Sequence, residues 1–192
     1  QDIRQGRPAG EGGRDDCRSE VKTKGDTSAK RCLLFYSVKK MEKILISACL
    51  YGDGIYRYDG KDKASADPLI LKWKKEGRLV PVCPEMEGGL TMPRDPAERQ
   101  GKRVINKKGR DVTTEYERGS SAALEAAYRE HVVCAIFKER SPSCGVHEIY
   151  DGSHTGRVIP GEGVTSALLR EHGIPVFSEN ECGKVLMFIK SL

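Results

Sequence analysis

The 192-residue chain has no stretch approaching the ~18 consecutive apolar residues of a membrane-spanning helix, and its start has no apolar signal-peptide core. The cytosol is therefore the expected compartment, with no membrane partner. Aromatic residues make up only 6% of the chain, too few for a surface that stacks single-stranded bases. Cysteine occurs seven times, an odd number, and no two are spaced C-x₂-C. That argues against a disulfide framework and against the close ligand pairs of a structural zinc site. A surplus of charge of one sign is also missing from most of the chain. The first 40 residues hold ten of the 33 Lys/Arg and six of the 28 Asp/Glu, so most of the formal +5 belongs to them and the rest is nearly neutral. A neutral body favours a small substrate over long RNA, whose phosphates reward a broad basic surface.

Residues 1–40 are polar, Gly-rich and of mixed charge, a composition that cannot bury enough apolar surface to order itself, so a disordered N-terminal extension is expected there. At Met41 the character changes, and residues 41–192 are expected to form one domain. Short apolar runs alternate with amphipathic stretches. Lys43–Ala48, Leu79–Val82, Val132–Phe137 and Ile174–Phe177 read as buried strands. Helices are predicted over Asp67–Glu76 with Asp67 as N-cap and Pro68 at its first position, from Thr113 or Thr114 to about His131, over Val164–His172, and over Glu179–Lys190. The Gly/Pro-rich run from Cys83 to Gly101 reads as loop, and Arg103–Ile105 with Asp111–Val112 reads as a small hairpin around Lys107-Lys108-Gly109. The expected fold is α/β, a single three-layer domain with a mainly parallel sheet flanked by helices.

In such a sheet ligands sit at the carboxyl ends of the strands. Cys49 follows the first strand, Cys83 the second, and Cys144 lies in the loop after the third, so three distant cysteines are expected at one mouth. Cys134 sits inside its strand and reads as a small buried hydrophobe, Cys182 lies near the last helix, and Cys17 and Cys32 precede residue 41. Three thiolates suit several metals, and an iron–sulfur cluster tolerates wide ligand spacing. On spacing alone, unconnected loop cysteines remain an equal alternative.

The segments KILISACLYG…RYDG (43–60), VPVCPEMEGGLTMPRDPAE (80–98), GRDVT (109–113), KERSPSCGVHEIYDG (138–152) and GRVIPGEGVTSALLREHGIPVFSE (156–179) resemble, in order, the blocks of the thiouracil desulfidase family. The resemblance runs from about Met41 to Glu179 and has no counterpart for residues 1–40. It implies a 4Fe-4S cluster with three cysteine ligands, Cys49, Cys83 and Cys144, and one open iron. It also implies removal of sulfur, as sulfide, from a small thiolated pyrimidine or nucleotide such as 2-thiouracil or 4-thiouridine monophosphate. The open iron would act as a Lewis acid without net redox change, and water would supply the new oxygen.

Hydrolysis needs a group to move protons, and Glu85, two residues past Cys83, is the first candidate, with Asp59 and Ser141 as further catalytic candidates. Ser143 and the N–H of Gly145 are expected to bind the base or a phosphate, and Arg94 and Arg57 to clamp a phosphate. His147 and His154 lack ligand spacing and are expected at the surface or in packing; Lys107–Arg110 reads as a solvated tip, and Gly161–Thr165 as a possible source of N–H groups for an anion. Two other function classes fit part of this pattern: an RNA-binding or thio-base-sensing module without turnover, and a structural zinc protein. Composition does not fix an oligomeric state.

Overall fold

Burial of both faces marks the first strand, β1 (Lys43–Ser47), as central, with Ile44, Leu45 and Ile46 all fully buried. The computed structural model describes residues 41–62 and 64–192, and the expected N-terminal extension, with Cys17 and Cys32, lies outside them. One helical turn, α1 (Ala48–Tyr51), follows β1 directly and closes at Gly52, whose φ of 73° is left-handed. A side chain there would also strike Ala64, since a Cβ would lie 2.3 Å from that residue's own Cβ.

Helix α2 (Pro68–Lys75) starts as the sequence predicts. Asp67 Oδ1 accepts from the backbone N–H of Leu69 (2.8 Å) and Ile70 (3.3 Å), and Pro68, which has no N–H to satisfy, takes the first position. Asp67→Ala is expected to cost about 1 kcal/mol and to lower Tm by about 2–4 °C. A melt that matches wild type would show the cap to be idle.

The chain continues through β2 (Leu79–Val82) and the short α3 (Pro84–Glu87). Next come β3 (Ala97–Gln100) and β4 (Arg103–Asn106), then α4 (Thr113–Arg129) and β5 (Val132–Phe137). Last are the strands β6 (Glu148–Tyr150) and β7 (Val158–Pro160), α5 (Val164–Glu171), β8 (Val176–Ser178) and α6 (Cys182–Lys190). The main sheet has the order β2-β1-β5-β8 with every pair parallel. Alternate residues serve opposite faces. Ile44 and Ile46 pack with Ile70 and Trp73 of α2 and Val185 of α6, whereas Leu45 packs with Ala123 and Ala127 of α4 and Leu169 of α5. Full burial of side chains this size contributes roughly 1.5–3 kcal/mol each, and this is what holds the three layers together. Among the described residues no helix is long and apolar enough to cross a membrane.

Several expectations need correction. The run from Cys83 to Gly101 is not all loop: Pro84 opens α3, and β3 is a strand because it pairs with β4, although AERQ has no alternating apolar pattern. The hairpin therefore turns at Gly101-Lys102, and the predicted pairing of 103–105 with 111–112 survives as one bridge, Ile105 to Asp111. Thr113 does not cap α4. It is the first helical residue, its N–H is held by Asp111 Oδ1 at 3.0 Å, and its hydroxyl accepts from Val104 N at 2.9 Å. The β6–β7 hairpin was not expected, the last strand lies past Pro175 at Val176–Ser178, and α6 begins only at Cys182.

From β1 the chain moves to β2 on one side; from β5 it moves to β8 on the other. The order thus switches between β1 and β5, the crevice in which α/β sheets seat ligands.

Candidate active site

A cavity of about 440 Å³ opens at this switch point, and Cys49, Cys83 and Cys144 all line it. The volume falls in the range of small-molecule sites, ~300–1,000 Å³. Each cysteine is placed by a different local device. Cys49 rides on α1 immediately after β1, whose last residue, the buried Ser47, accepts from Lys138 N at 3.0 Å and so ties the exits of β1 and β5 together. Cys83 stands just before α3, which lies against α4 through two glycines. A Cβ on Gly119 would sit 1.8 Å from the Pro84 carbonyl oxygen, and one on Gly88 would sit 2.0 Å from that of Glu115.

Cys144 is held by the loop Ser141–Gly145. Ser141 Oγ accepts from Ser143 N (3.2 Å) and Cys144 N (3.0 Å), and Gly145 N donates to Ser141 O at 2.8 Å. The N-terminus of α5 then grips this loop: Gly163, Val164 and Thr165 donate to the carbonyls of Gly145, Pro142 and Ser143 at 2.8–2.9 Å. Gly163 is needed because a Cβ would lie 2.2 Å from the Ser143 oxygen. The N–H groups of Gly161–Thr165, read above as donors for an anion, are thus committed mainly to this loop, with Gly161 donating to His147 O at 2.9 Å.

The three thiols feel one another. Burial, and after it the Cys83 charge, push the Cys49 thiol up to about 12; burial lifts Cys83 as well, and burial with both partners lifts Cys144 well above the ordinary thiol value. Three mutually repelling, part-desolvated thiols are a costly set of thiolates unless a cation sits among them, and a bound metal inverts that balance. The donor set therefore fits an iron–sulfur cluster. Among the described residues no three His, Cys, Asp or Glu side chains are grouped closely enough to hold a single ion. Cys134 and Cys182 are buried in the apolar layer beneath α2 and α6, away from the cavity.

The other predicted residues divide. Glu85 and Arg94 line the cavity and face each other: Arg94 Nε and Nη2 both reach Glu85 Oε2, at 2.8 and 2.7 Å, with side chains 9% and 16% exposed. Arg94 also donates to Tyr56 O at 2.7 Å, so its guanidinium is engaged by Glu85 and the Tyr56–Arg57 loop. Arg57 lines the cavity but is paired with Asp59 through two contacts of 3.1 Å. Asp59 itself does not line it; its Oδ1 also accepts from Lys61 N, which makes it a turn residue. Ser141 lines the cavity, and with two N–H groups on its oxygen its own proton remains to donate. Ser143 and Gly145 face elsewhere. The Ser143 hydroxyl is buried against Thr165 Oγ1 at 2.9 Å, and the Gly145 N–H is bonded to Ser141 O, so both groups are engaged within the fold.

The sequence reading left out several wall residues. Lys107 lines the cavity and is not merely a solvated tip, and Lys138, Glu139, Tyr116 and Tyr150 line it too. His147 pairs with Glu181 outside the wall, but His154 is part of it. Two carboxylates pin the β6–β7 hairpin over the cavity: Glu98 Oε2 accepts from Gly152 N (3.0 Å) and His154 N (2.9 Å), and Glu139 Oε1 accepts from His147 N (2.7 Å) and Glu148 N (2.6 Å). Among the described residues the buried side-chain polar atoms without a partner are Glu139 Oε2 and His154 Nε2, both on this wall. Arg140 and His154, with φ of 61° and 57°, hold the left-handed backbone that non-glycine residues seldom adopt, a strain that concentrates at binding sites.

The sequence model of the 2-thiouracil desulfurase family matches residues 44–181, which contain all three cysteines and every part of the cavity wall. The chain belongs to that family. Among solved structures, a [4Fe-4S]-dependent thiouracil desulfidase, TudS, is 44% identical and superposes with a TM-score of 0.77, covering 79% of this chain and 99% of the other. Among curated proteins, YbbK of Bacillus subtilis (strain 168), described as uncharacterized, is 40% identical over 153 residues, 74% of this chain and 99% of its own. The 2-thiouracil desulfurase match covers nearly the whole of the folded α/β unit, so the cavity is the place to seek the family's chemistry.

Proposed function

We propose that this chain is an iron–sulfur-dependent desulfidase that exchanges the exocyclic sulfur of a thiolated uracil for oxygen, releasing sulfide. The observation that carries the reading is the convergence of Cys49, Cys83 and Cys144, each from a different strand exit, on a cavity that also holds Glu85. The three thiolates would hold a 4Fe-4S cluster, which supplies a Lewis-acidic iron without a protein ligand toward the thiocarbonyl sulfur. The rest is work for the protein's own side chains. Glu85, held by Arg94, takes a proton from water as the new C–O bond forms, and that proton ends on the departing sulfur or the ring nitrogen. Ser141 donates its hydroxyl proton to a polar group of the base. Thiocarbonyl and water go in, carbonyl and hydrogen sulfide come out, and no electron is needed.

The wall favours a polar, small ligand. Lys107 makes no ion pair among the described residues and gives the cavity a cationic group suited to the phosphate of a thiouridine monophosphate, whereas Arg140 is paired with Glu148 at 3.2 Å. Every residue assigned a role lies within 41–192.

The deciding assay measures sulfide release under anaerobic conditions from 2-thiouracil, 4-thiouridine, 4-thiouridine monophosphate and thiolated tRNA, after iron and labile sulfide are counted. Stoichiometric sulfide from a free base or mononucleotide is expected. Tight, salt-dependent binding of thiolated tRNA without sulfide would instead establish a sensing module, and zinc without labile sulfide a structural metal site.

A further inference from the structure

We propose that Glu139 reads the ring N–H of the base and so selects thiouracil over thiocytosine, an inference that rests on the thiolated-uracil reading above. Glu139 stands just past the end of β5, at the sheet edge where the three cysteines converge, and it lines the cavity. Its carboxylate is held through one oxygen. Oε1 accepts from His147 N at 2.7 Å and from Glu148 N at 2.6 Å, and the residue's own N–H donates to Glu179 Oε2 at 2.7 Å. Two donors on Oε1 fix the rotation of the group, so Oε2 has a set position, yet it is buried without a partner. A buried acceptor left empty is costly, and most are filled. Anchoring the β6–β7 hairpin takes only Oε1. The other oxygen is left for a ligand. The chain is also bent at this point, since Arg140, the next residue, holds the left-handed φ of 61°.

The partner that Oε2 lacks is a donor. In uracil and its thio derivatives N3 carries a proton and lies between C2 and C4, whose oxygen or sulfur substituents are acceptors. In thiocytosine N3 carries a lone pair instead. A carboxylate oxygen pairs with the first and repels the second, so one group both attracts the right base and rejects the wrong one. Ser141, on the same loop and in the same wall, has a hydroxyl proton for the substituent beside N3. Acceptor and donor follow each other along the loop as donor and acceptor do along the edge of the base.

The test compares 2-thiouracil with 2-thiocytosine as substrates of anaerobically reconstituted protein, and titrates uracil and cytosine, which do not react, for binding. Wild type should favour the uracil member of each pair at least about tenfold, in kcat/KM and in Kd. 3-Methyl-2-thiouracil, which lacks the N3 proton, should be as poor as 2-thiocytosine, whereas 1-methyl-2-thiouracil should remain a substrate. In Glu139→Gln the amide oxygen stays with the N–H groups of His147 and Glu148, and an NH₂ donor replaces Oε2. Iron, labile sulfide and melting temperature should therefore match wild type while the preference for uracil shrinks to within about threefold. A mere anchor for the hairpin would leave that preference unchanged. Equal acceptance of the two bases by wild type, full turnover of 3-methyl-2-thiouracil, or an undiminished preference in Glu139→Gln overturns the assignment, and the wild-type comparisons decide it even where the variant does not fold. Absence of sulfide from every thiolated pyrimidine would defeat the desulfidase reading, and the titration of uracil against cytosine would then judge Glu139 separately.

Discussion

Alanine at Cys49, Cys83 or Cys144 is expected to give protein that folds but stays colourless after anaerobic reconstitution, with sulfide release reduced at least about 100-fold. The reason is the count of donors. The cavity wall holds three thiols, and among the described residues the remaining cysteines, Cys134 and Cys182, are sealed in the apolar layer under α2 and α6. No spare thiol can replace a lost one without dismantling that layer. Cys134→Ala and Cys182→Ala are the matched controls. Each should keep iron, labile sulfide and turnover and lose only packing, on the order of 1–2 kcal/mol of stability. Iron analysis, absorbance near the thiolate-to-iron charge-transfer bands and a thermal melt on all five variants separate cluster loss from misfolding. A brown, active Cys83→Ala protein, or a colourless Cys134→Ala, would mean that the ligand set is wrongly drawn.

The parts of the molecule that local chemistry determines were readable from the amino acids. The cap at Asp67 and Pro68, the continuous apolar runs of β1 and β5, and the cysteines just past strand exits each depend on neighbours in sequence, and the parallel order follows from alternating strand and helix. What stayed hidden depends on partners far along the chain. Strand β3 has no pattern of its own and exists because β4 lies beside it. His154 reaches the cavity because the carboxylates of Glu98 and Glu139 hold the β6–β7 hairpin over it. Arg94 looked like a phosphate ligand because an isolated arginine shows no partner, and the fold supplied Glu85. The glycines told more than they were asked. Gly119 and Gly163 sit where backbone meets backbone, one letting α4 lie against α3 and the other fixing the loop of Cys144 on α5. A glycine inside or just before a helix, with no turn to justify it, was the available signal.

Glu85→Gln is the second large effect, and it separates holding the cofactor from using it. Glutamine has the same length and keeps an oxygen for Arg94 but cannot accept a proton, so the cluster should assemble with full iron and labile sulfide while turnover falls by about 10²–10⁴. The charge partner complicates the variant. Arg94 is 9% exposed, and a buried guanidinium stripped of its carboxylate destabilises a fold by roughly 3–5 kcal/mol when nothing replaces the charge. A thermal melt must therefore accompany the assay, and Glu85→Asp supplies the complement. Aspartate keeps the charge that Arg94 needs and draws the carboxylate back by one methylene. If aiming matters as well as ionisation, Glu85→Asp should recover most of the stability and only part of the rate. Should both variants release sulfide at the wild-type rate with the cluster intact, proton transfer runs through another group, and the unpartnered carboxylate oxygen of Glu139 on the cavity wall is the next to replace.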